Sequence, residues 1–102
     1  MDINQIMKQA QEFQQKMGQV QNELAEKKVS SSVGGGMVSV IVNGKNELVE
    51  LKIEREAINP EDPAMLQDLV MAAVNDGMRK AREMAQQEMS KLTGGLNIPG
   101  LG

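Results

Sequence analysis

The sequence predicts an α+β domain in which two long amphipathic helices flank an antiparallel β-meander, and three observations carry that expectation. Residues 37–54, MVSVIVNGKNELVELKIE, place Val38, Val40 and Val42 and then Val49, Leu51 and Ile53 at a period of two, the pattern of two half-buried strands joined as a hairpin. Upstream, Ile3, Ile6, Ala10, Phe13, Met17, Val20 and Leu24 recur at alternating spacings of three and four, a heptad seam. Downstream, Leu66, Leu69, Val70, Ala73, Val74, Met78, Ala81, Ala85, Met89 and Leu92 form a second stripe at helical spacing.

The first helix is expected over residues 3–27. Asp2 followed by Gln5 resembles a capping box, and Lys27-Lys28 places cations at the negative pole of the helix. At ~1.5 Å per residue this helix is about 36 Å long, against about 20–27 Å for strands of six to eight residues. One end should therefore overhang the sheet. The seam either packs on the chain's own sheet or is shared between two copies, and a single short meander offers it little to bury against, which favours two copies.

Residues 29–33 admit a short strand, and Gly34-Gly35-Gly36 then serves as a flexible or bulged sheet corner. These glycines are not a Walker loop: no Lys followed by Ser or Thr closes the motif, and a strand rather than a helix comes next. Within the hairpin, a two-residue Asn43-Gly44 turn would set Val40 opposite Glu47 and Val42 opposite Lys45. A loop at about residues 44–47 instead pairs Val42 with Val49, Val40 with Leu51 and Val38 with Ile53, and burial of one face selects that register. Gly44 would supply a turn conformation within this loop. The opposite face, with Met37, Ser39, Ile41, Glu50, Lys52 and Glu54, reads as largely wet.

Residues 55–63 form a connector in which Asp62 is the natural cap and Pro63 the first residue of the second helix, expected to reach Leu92. Gly77 inside that helix costs roughly 1 kcal/mol relative to Ala and points to a close contact or a bend. Residues 1–92 thus read as a single domain, and residues 93–102, mostly Gly, Leu and Pro, as a flexible tail.

Composition narrows the function. The chain has 102 residues, one aromatic residue (Phe13), nine Met, and no His, Cys, Trp or Tyr. No disulfide, thiol nucleophile or thiolate metal site can be built, which fits a reducing compartment. No apolar run approaches the ~20 residues that span a bilayer, and the N-terminus lacks the basic and apolar regions of a secretion signal. The expected location is the cytoplasm. A nucleophile with an acid and base pair cannot be assembled, because Glu54, Glu56, Glu61 and Asp62 read as solvated surface and Ser30-Ser31-Ser32 has no base nearby in sequence. No catalysis, cofactor, metal or small-molecule substrate is expected.

The net charge of −3 does not by itself point to nucleic acid, so polyanion binding must come from local placement of the eleven Lys and Arg. The helices carry Lys8 and Lys16 on the first and Arg79, Lys80, Arg82 and Lys91 on the second. Several have partners one turn away: Lys8 and Lys16 flank Glu12, Asp76 faces Lys80, and Arg79 faces Glu83. The three cations of Arg79-Lys80-Ala81-Arg82 fan over too wide an arc for all of them to be neutralised locally. Gln and Ser on the same helices can bond phosphate oxygens, while no aromatic residues interleave to stack single-stranded bases.

In its order of motifs the chain resembles the YbaB/EbfC family of small bacterial nucleoid-associated DNA-binding proteins. The likeness rests on Met7-Lys8-Gln9-Ala10-Gln11 with Gln15-Lys16-Met17, and on the Gly-rich corner before Val-x-Val and Asn43-Gly44. It continues through Met65-Leu66-Gln67-Asp68-Leu69-Val70, Ala72-Ala73, Asn75-Asp76 and the Met-rich helix end before a Gly/Leu/Pro tail. The resemblance implies an αβββα fold with a three-stranded antiparallel meander, assembled as a homodimer whose helices project like tweezer arms. It implies binding of duplex DNA with weak sequence preference, nucleoid organisation, and a regulatory or repair-linked role. The family's helix contacts map onto Lys8, Lys16, Arg79, Lys80 and Arg82, while the heptad spacing itself offers Ile6, Phe13, Met17 and Val20 as the dimer or core seam. The alternative, a dimeric protein-binding adaptor without direct DNA contact, would use the heptad face or the Met-rich helix end.

Overall fold

In the computed structural model, which describes residues 2–94, the chain folds in the order α1 (Ile3–Glu26), β1 (Lys28–Val33), β2 (Val38–Asn43), β3 (Leu48–Ile53), a short 3-10 turn (Arg55–Ala57) and α2 (Pro63–Gly94). This is the expected αβββα architecture. The strands form an antiparallel sheet in the order β1-β2-β3.

The helix starts follow from their caps. The Asp2 carboxylate accepts the Asn4 N–H at 3.1 Å, and Asp62 accepts that of Met65 at 3.3 Å, each satisfying a donor that the first helical turn leaves unpaired. Pro63 opens α2 as expected, and the helix continues to Gly94, two residues past the expected end. The rest of the expected tail lies outside the described residues.

The core is the interface between α2 and the middle strand. Val38, Val40 and Val42 are fully buried and meet Ala73 and Ala81. Between these alanines sits Gly77, where a Cβ would come within 2.8 Å of the Val40 Cγ2 and 2.9 Å of the Val42 Cγ2. The close contact that Gly77 suggested is thus its reason for being there: small residues let the helix backbone settle onto the valines. Leu69, Val70, Val74 and Met78 of α2 and Val29, Val33 and Ile53 of the sheet pack around this centre.

The hairpin register holds at Val38↔Ile53 and Val40↔Leu51, but Val42 faces Leu48 rather than Val49. Asn43 is the cause. Its side-chain oxygen accepts the N–H groups of Lys45 and Glu47, each at 3.0 Å, and its backbone N–H donates to the Glu47 carbonyl at 3.0 Å. The loop closes one residue tighter than expected, and a bulge in β3 takes up the difference. The positive φ in this loop falls on Asn46 (64°), not on Gly44. Gly44 serves α1 instead: its N–H donates to the carbonyls of Leu24 (2.8 Å) and Lys27 (2.9 Å), capping the end of the helix. The Gly34-Gly35-Gly36 corner is a tight turn between β1 and β2 with φ of 64°, 67° and 94°.

The two helices divide the work unequally. α2 lies across β1 and β2, whereas α1 buries only Leu24. Its seam is open over most of its length, with Ile3 71 %, Ile6 47 % and Phe13 37 % exposed and Met17 and Val20 half-buried. Among the described residues only the Leu24 end of the seam is buried within the chain. β3 is an edge strand and α2 lies chiefly across β1 and β2, so Val49 and Leu51, expected to be half-buried, are exposed together with Leu48.

Candidate nucleic-acid interface

The expected contact residues fall into two groups. Lys8 and Lys16 lie on α1, eight residues and thus about 12 Å apart along the axis. Both are exposed, and among the described residues neither pairs with Glu12 or with any other carboxylate. The i,i+4 pairings expected there do not form. On α2, Arg82 is likewise exposed and without an ion pair among the described residues.

Arg79 and Lys80 are held by the protein itself. Arg79 donates to the Asp76 Oδ1 at 2.7 Å and to the Glu83 Oε1 at 2.8 Å. The Lys80 ammonium lies 3.4 Å from the Asp76 Oδ2 and 3.4 Å from the Ser30 carbonyl oxygen. The pairs Asp76 with Lys80 and Arg79 with Glu83 are those expected from spacing. The additional Arg79 to Asp76 contact makes one carboxylate serve two cations.

Asp76 is in turn anchored to the sheet. Ser31 lies on the inner face of β1 between Val29 and Val33, is 3 % exposed, and donates its hydroxyl to the Asp76 Oδ2 at 2.6 Å. A buried hydroxyl needs a partner, and α2 supplies it from 45 residues away. The Ser31 hydrogen bond first, then Arg79 and Lys80, bring the Asp76 carboxyl from its ordinary 3.8 down to about 2. Asp76 and Glu83 correspondingly raise the Arg79 guanidinium.

The sign of the linkage is set by that depression. As pH falls, the unfolded chain takes up a proton near 3.8 before the folded chain does near 2, so the contribution of Asp76 is complete above about 4 and lost between 3.8 and 2. Thermal unfolding of the protein should fall through that window, and the fall should be shallower in Asp76→Asn. Equal slopes for the two proteins would show that the carboxylate adds nothing to stability.

A second long-range pair ties the helices together. Lys27, at the end of α1, donates to Glu88 of α2, which also meets Lys91 at 3.3 Å. Lys27 first and then Lys91 lower the Glu88 carboxyl below its ordinary value. Both this pair and the Ser31 to Asp76 bond escaped the sequence reading. For Ser31 a signal existed, because period two put a hydroxyl on the buried face. For Lys27 and Glu88 there was none, since 61 residues separate them.

The described residues contain no cluster of carboxylates suited to a metal ion, and no helix among them is long and apolar enough to cross a membrane.

Comparison with known proteins agrees with this architecture. A nucleoid-associated protein of Syntrophobacter fumaroxidans is 58 % identical over 95 residues, covering 93 % of this chain and 86 % of the relative. One from Desulfotalea psychrophila is 52 % identical over 101 residues, covering 99 % and 95 % respectively. The crystal structure of an uncharacterized protein from Helicobacter pylori superposes with a TM-score of 0.83 at 31 % identity, over 92 % of this chain and 99 % of that one. With the family's sequence model matching residues 1–96, and with helix, meander and long helix in the same order, the chain belongs to the YbaB/EbfC DNA-binding family.

Proposed function

We propose that this protein is a nucleoid-associated protein that binds duplex DNA as a homodimer, with weak sequence preference, and contributes to nucleoid organisation. The observation that carries the reading is the pairing state of the helix cations. Lys8, Lys16 and Arg82 stand exposed without a carboxylate partner on helices that extend past the sheet, available to phosphate oxygens. Arg79 and Lys80 complete the contact set but are engaged by Asp76 and Glu83. Contacts of this type position a protein on the duplex backbone and carry no base sequence.

The uncovered seam of α1 supports the assembly. Among the described residues Ile6 and Phe13 stay exposed and Met17 and Val20 are only half-buried, and the buried apolar core consists of Leu24, three valines and three alanines. A second copy burying the same seam would supply what one chain lacks, by the symmetric self-association usual for soluble oligomers, and would set two copies of the cation set on one particle.

A salt series with a labelled mixed-sequence duplex tests the reading. Each phosphate contact contributes a slope of about −0.9 to log K against log salt, so three free cations on each of two chains predict a slope of about −5. Replacing Lys8, Lys16 and Arg82 together with Gln should lower affinity at low salt by about a thousandfold and flatten the slope. Binding that ignores salt, or that survives the triple replacement, rules the mode out. The exposed Leu48, Val49, Leu51 and Met71 favour one second reading, a protein-binding adaptor. Its signature is a partner retained after nuclease treatment, together with failure of the purified protein to bind duplex at low salt.

A further inference from the structure

The geometry points to Asp76 as an affinity-setting residue: an internal carboxylate that occupies Arg79 and Lys80 in place of DNA phosphate and so holds duplex binding below what the cation content would allow. This inference rests on the duplex-binding reading and deepens it. Its basis is that both oxygens of Asp76 are engaged. One oxygen takes Arg79 at 2.7 Å; the other takes the Ser31 hydroxyl at 2.6 Å and faces Lys80 at 3.4 Å. A carboxylate free to rotate would be displaced by an incoming phosphate at little cost. This one is tied to β1 by a hydroxyl that is itself buried, so swinging aside for a phosphate would leave that hydroxyl without its partner.

The consequence is electrostatic. A phosphate that approaches Arg79 meets a guanidinium whose two terminal nitrogens are already paired, with Asp76 and with Glu83 at 2.8 Å. Transferring it to DNA exchanges one oxyanion for another and leaves Asp76 and Glu83 bare beside the duplex. Little counterion release is gained for that exchange, whereas Lys8, Lys16 and Arg82 bring their full charge to the backbone. The cations of the contact set therefore divide into a working set and a restrained set, and Asp76 is the carboxylate common to both restrained members.

Asp76→Asn removes the charge and keeps the fold, because the amide oxygen still accepts from Ser31. On the same mixed-sequence duplex at about 100 mM salt, affinity should rise by about tenfold or more, and the salt slope should steepen by about 2 to 4 for two chains. Glu83→Gln, on an exposed position, releases only one side of Arg79 and should give a smaller rise. Asp68→Asn removes a carboxylate from the same helix without freeing a cation and should change affinity by less than about threefold. The decisive combination is Arg79→Gln with Lys80→Gln, which should cancel the entire gain of Asp76→Asn. A gain that persists without Arg79 and Lys80, or that Asp68→Asn reproduces, would show only reduced general repulsion and overturn the inference. An unchanged or weaker affinity in a folded Asp76→Asn protein overturns it as well. If neither native nor Asp76→Asn protein binds duplex at the lowest salt, the duplex-binding reading falls first and this inference with it.

Discussion

Alanine at Gly44 is expected to destabilise the protein by about 3 kcal/mol or more, combining overpacking with loss of a helix cap. An added Cβ would sit 2.6 Å from the Leu24 carbonyl oxygen and 2.9 Å from its Cα. These are backbone atoms of α1 and cannot rotate away, so the helix end must retreat. In retreating it gives up the hydrogen bonds from the Gly44 N–H to Leu24 and Lys27. Two other glycines provide the contrast. Nothing lies within 4 Å of a Cβ at Gly18 in the middle of α1, so Gly18→Ala should stabilise by roughly 1 kcal/mol through helix propensity alone. At Gly77 a methyl gains the same propensity but meets the rigid Cγ2 groups of Val40 and Val42, for a net loss of about 1 kcal/mol. Urea unfolding of the three variants, with equal denaturant slopes as the check on two-state behaviour, measures the series. A Gly44→Ala protein within about 0.5 kcal/mol of the native one would mean that the end of α1 is not held where the structure places it.

Lysine at Phe13 is expected to halve the mass of the particle. Two chains of 11.1 kDa predict about 22 kDa by light scattering at micromolar concentration, and the substituted protein should run as a single chain. Burying an unpaired ammonium in a shared apolar seam costs about 3–5 kcal/mol, which weakens association by about a thousandfold. The seam makes almost no contribution to the chain's own core, because of all α1 only Leu24 is buried. The circular dichroism of sheet and α2 should therefore survive, with loss concentrated in α1. Ile6→Lys should behave alike. A variant that keeps the 22 kDa mass would move the interface away from α1, most directly toward the uncovered Leu48, Val49 and Leu51 of β3.

Much of the fold was legible because it is written in short-range patterns. Both helix starts follow from Asp2 and Asp62, and the inner strand face follows from Val38, Val40 and Val42 at period two. The hairpin loop was legible only in part. Gly44 advertises the absence of a side chain, but a sequence does not distinguish a glycine needed for a positive φ from one needed for close approach. Here the left-handed residue is Asn46, and Gly44 makes room for α1. For the candidate site, spacing found Asp76 with Lys80 and Arg79 with Glu83, since i,i+4 neighbours on a helix must meet if they meet at all. The same rule overstated Lys8, Lys16 and Glu12, which are exposed on α1 and remain apart. Side chains that solvent can satisfy have little to gain from pairing.

The sequence by itself determined the order of elements, the inner face of β2 and of α2, and which cations the helices carry. Those properties depend on residues within one or two turns of each other, where backbone periodicity leaves few choices. Only the tertiary structure decided that α2 covers most of the sheet's inner face while α1 leaves most of its seam uncovered, that Ser31 reaches Asp76, and that Lys27 reaches Glu88. It thereby decided which cations are free and which are restrained. Each of those outcomes depends on how closely a helix can approach a sheet, which is set at Gly77 and Gly44 by the space around a missing methyl, and no local pattern encodes that distance.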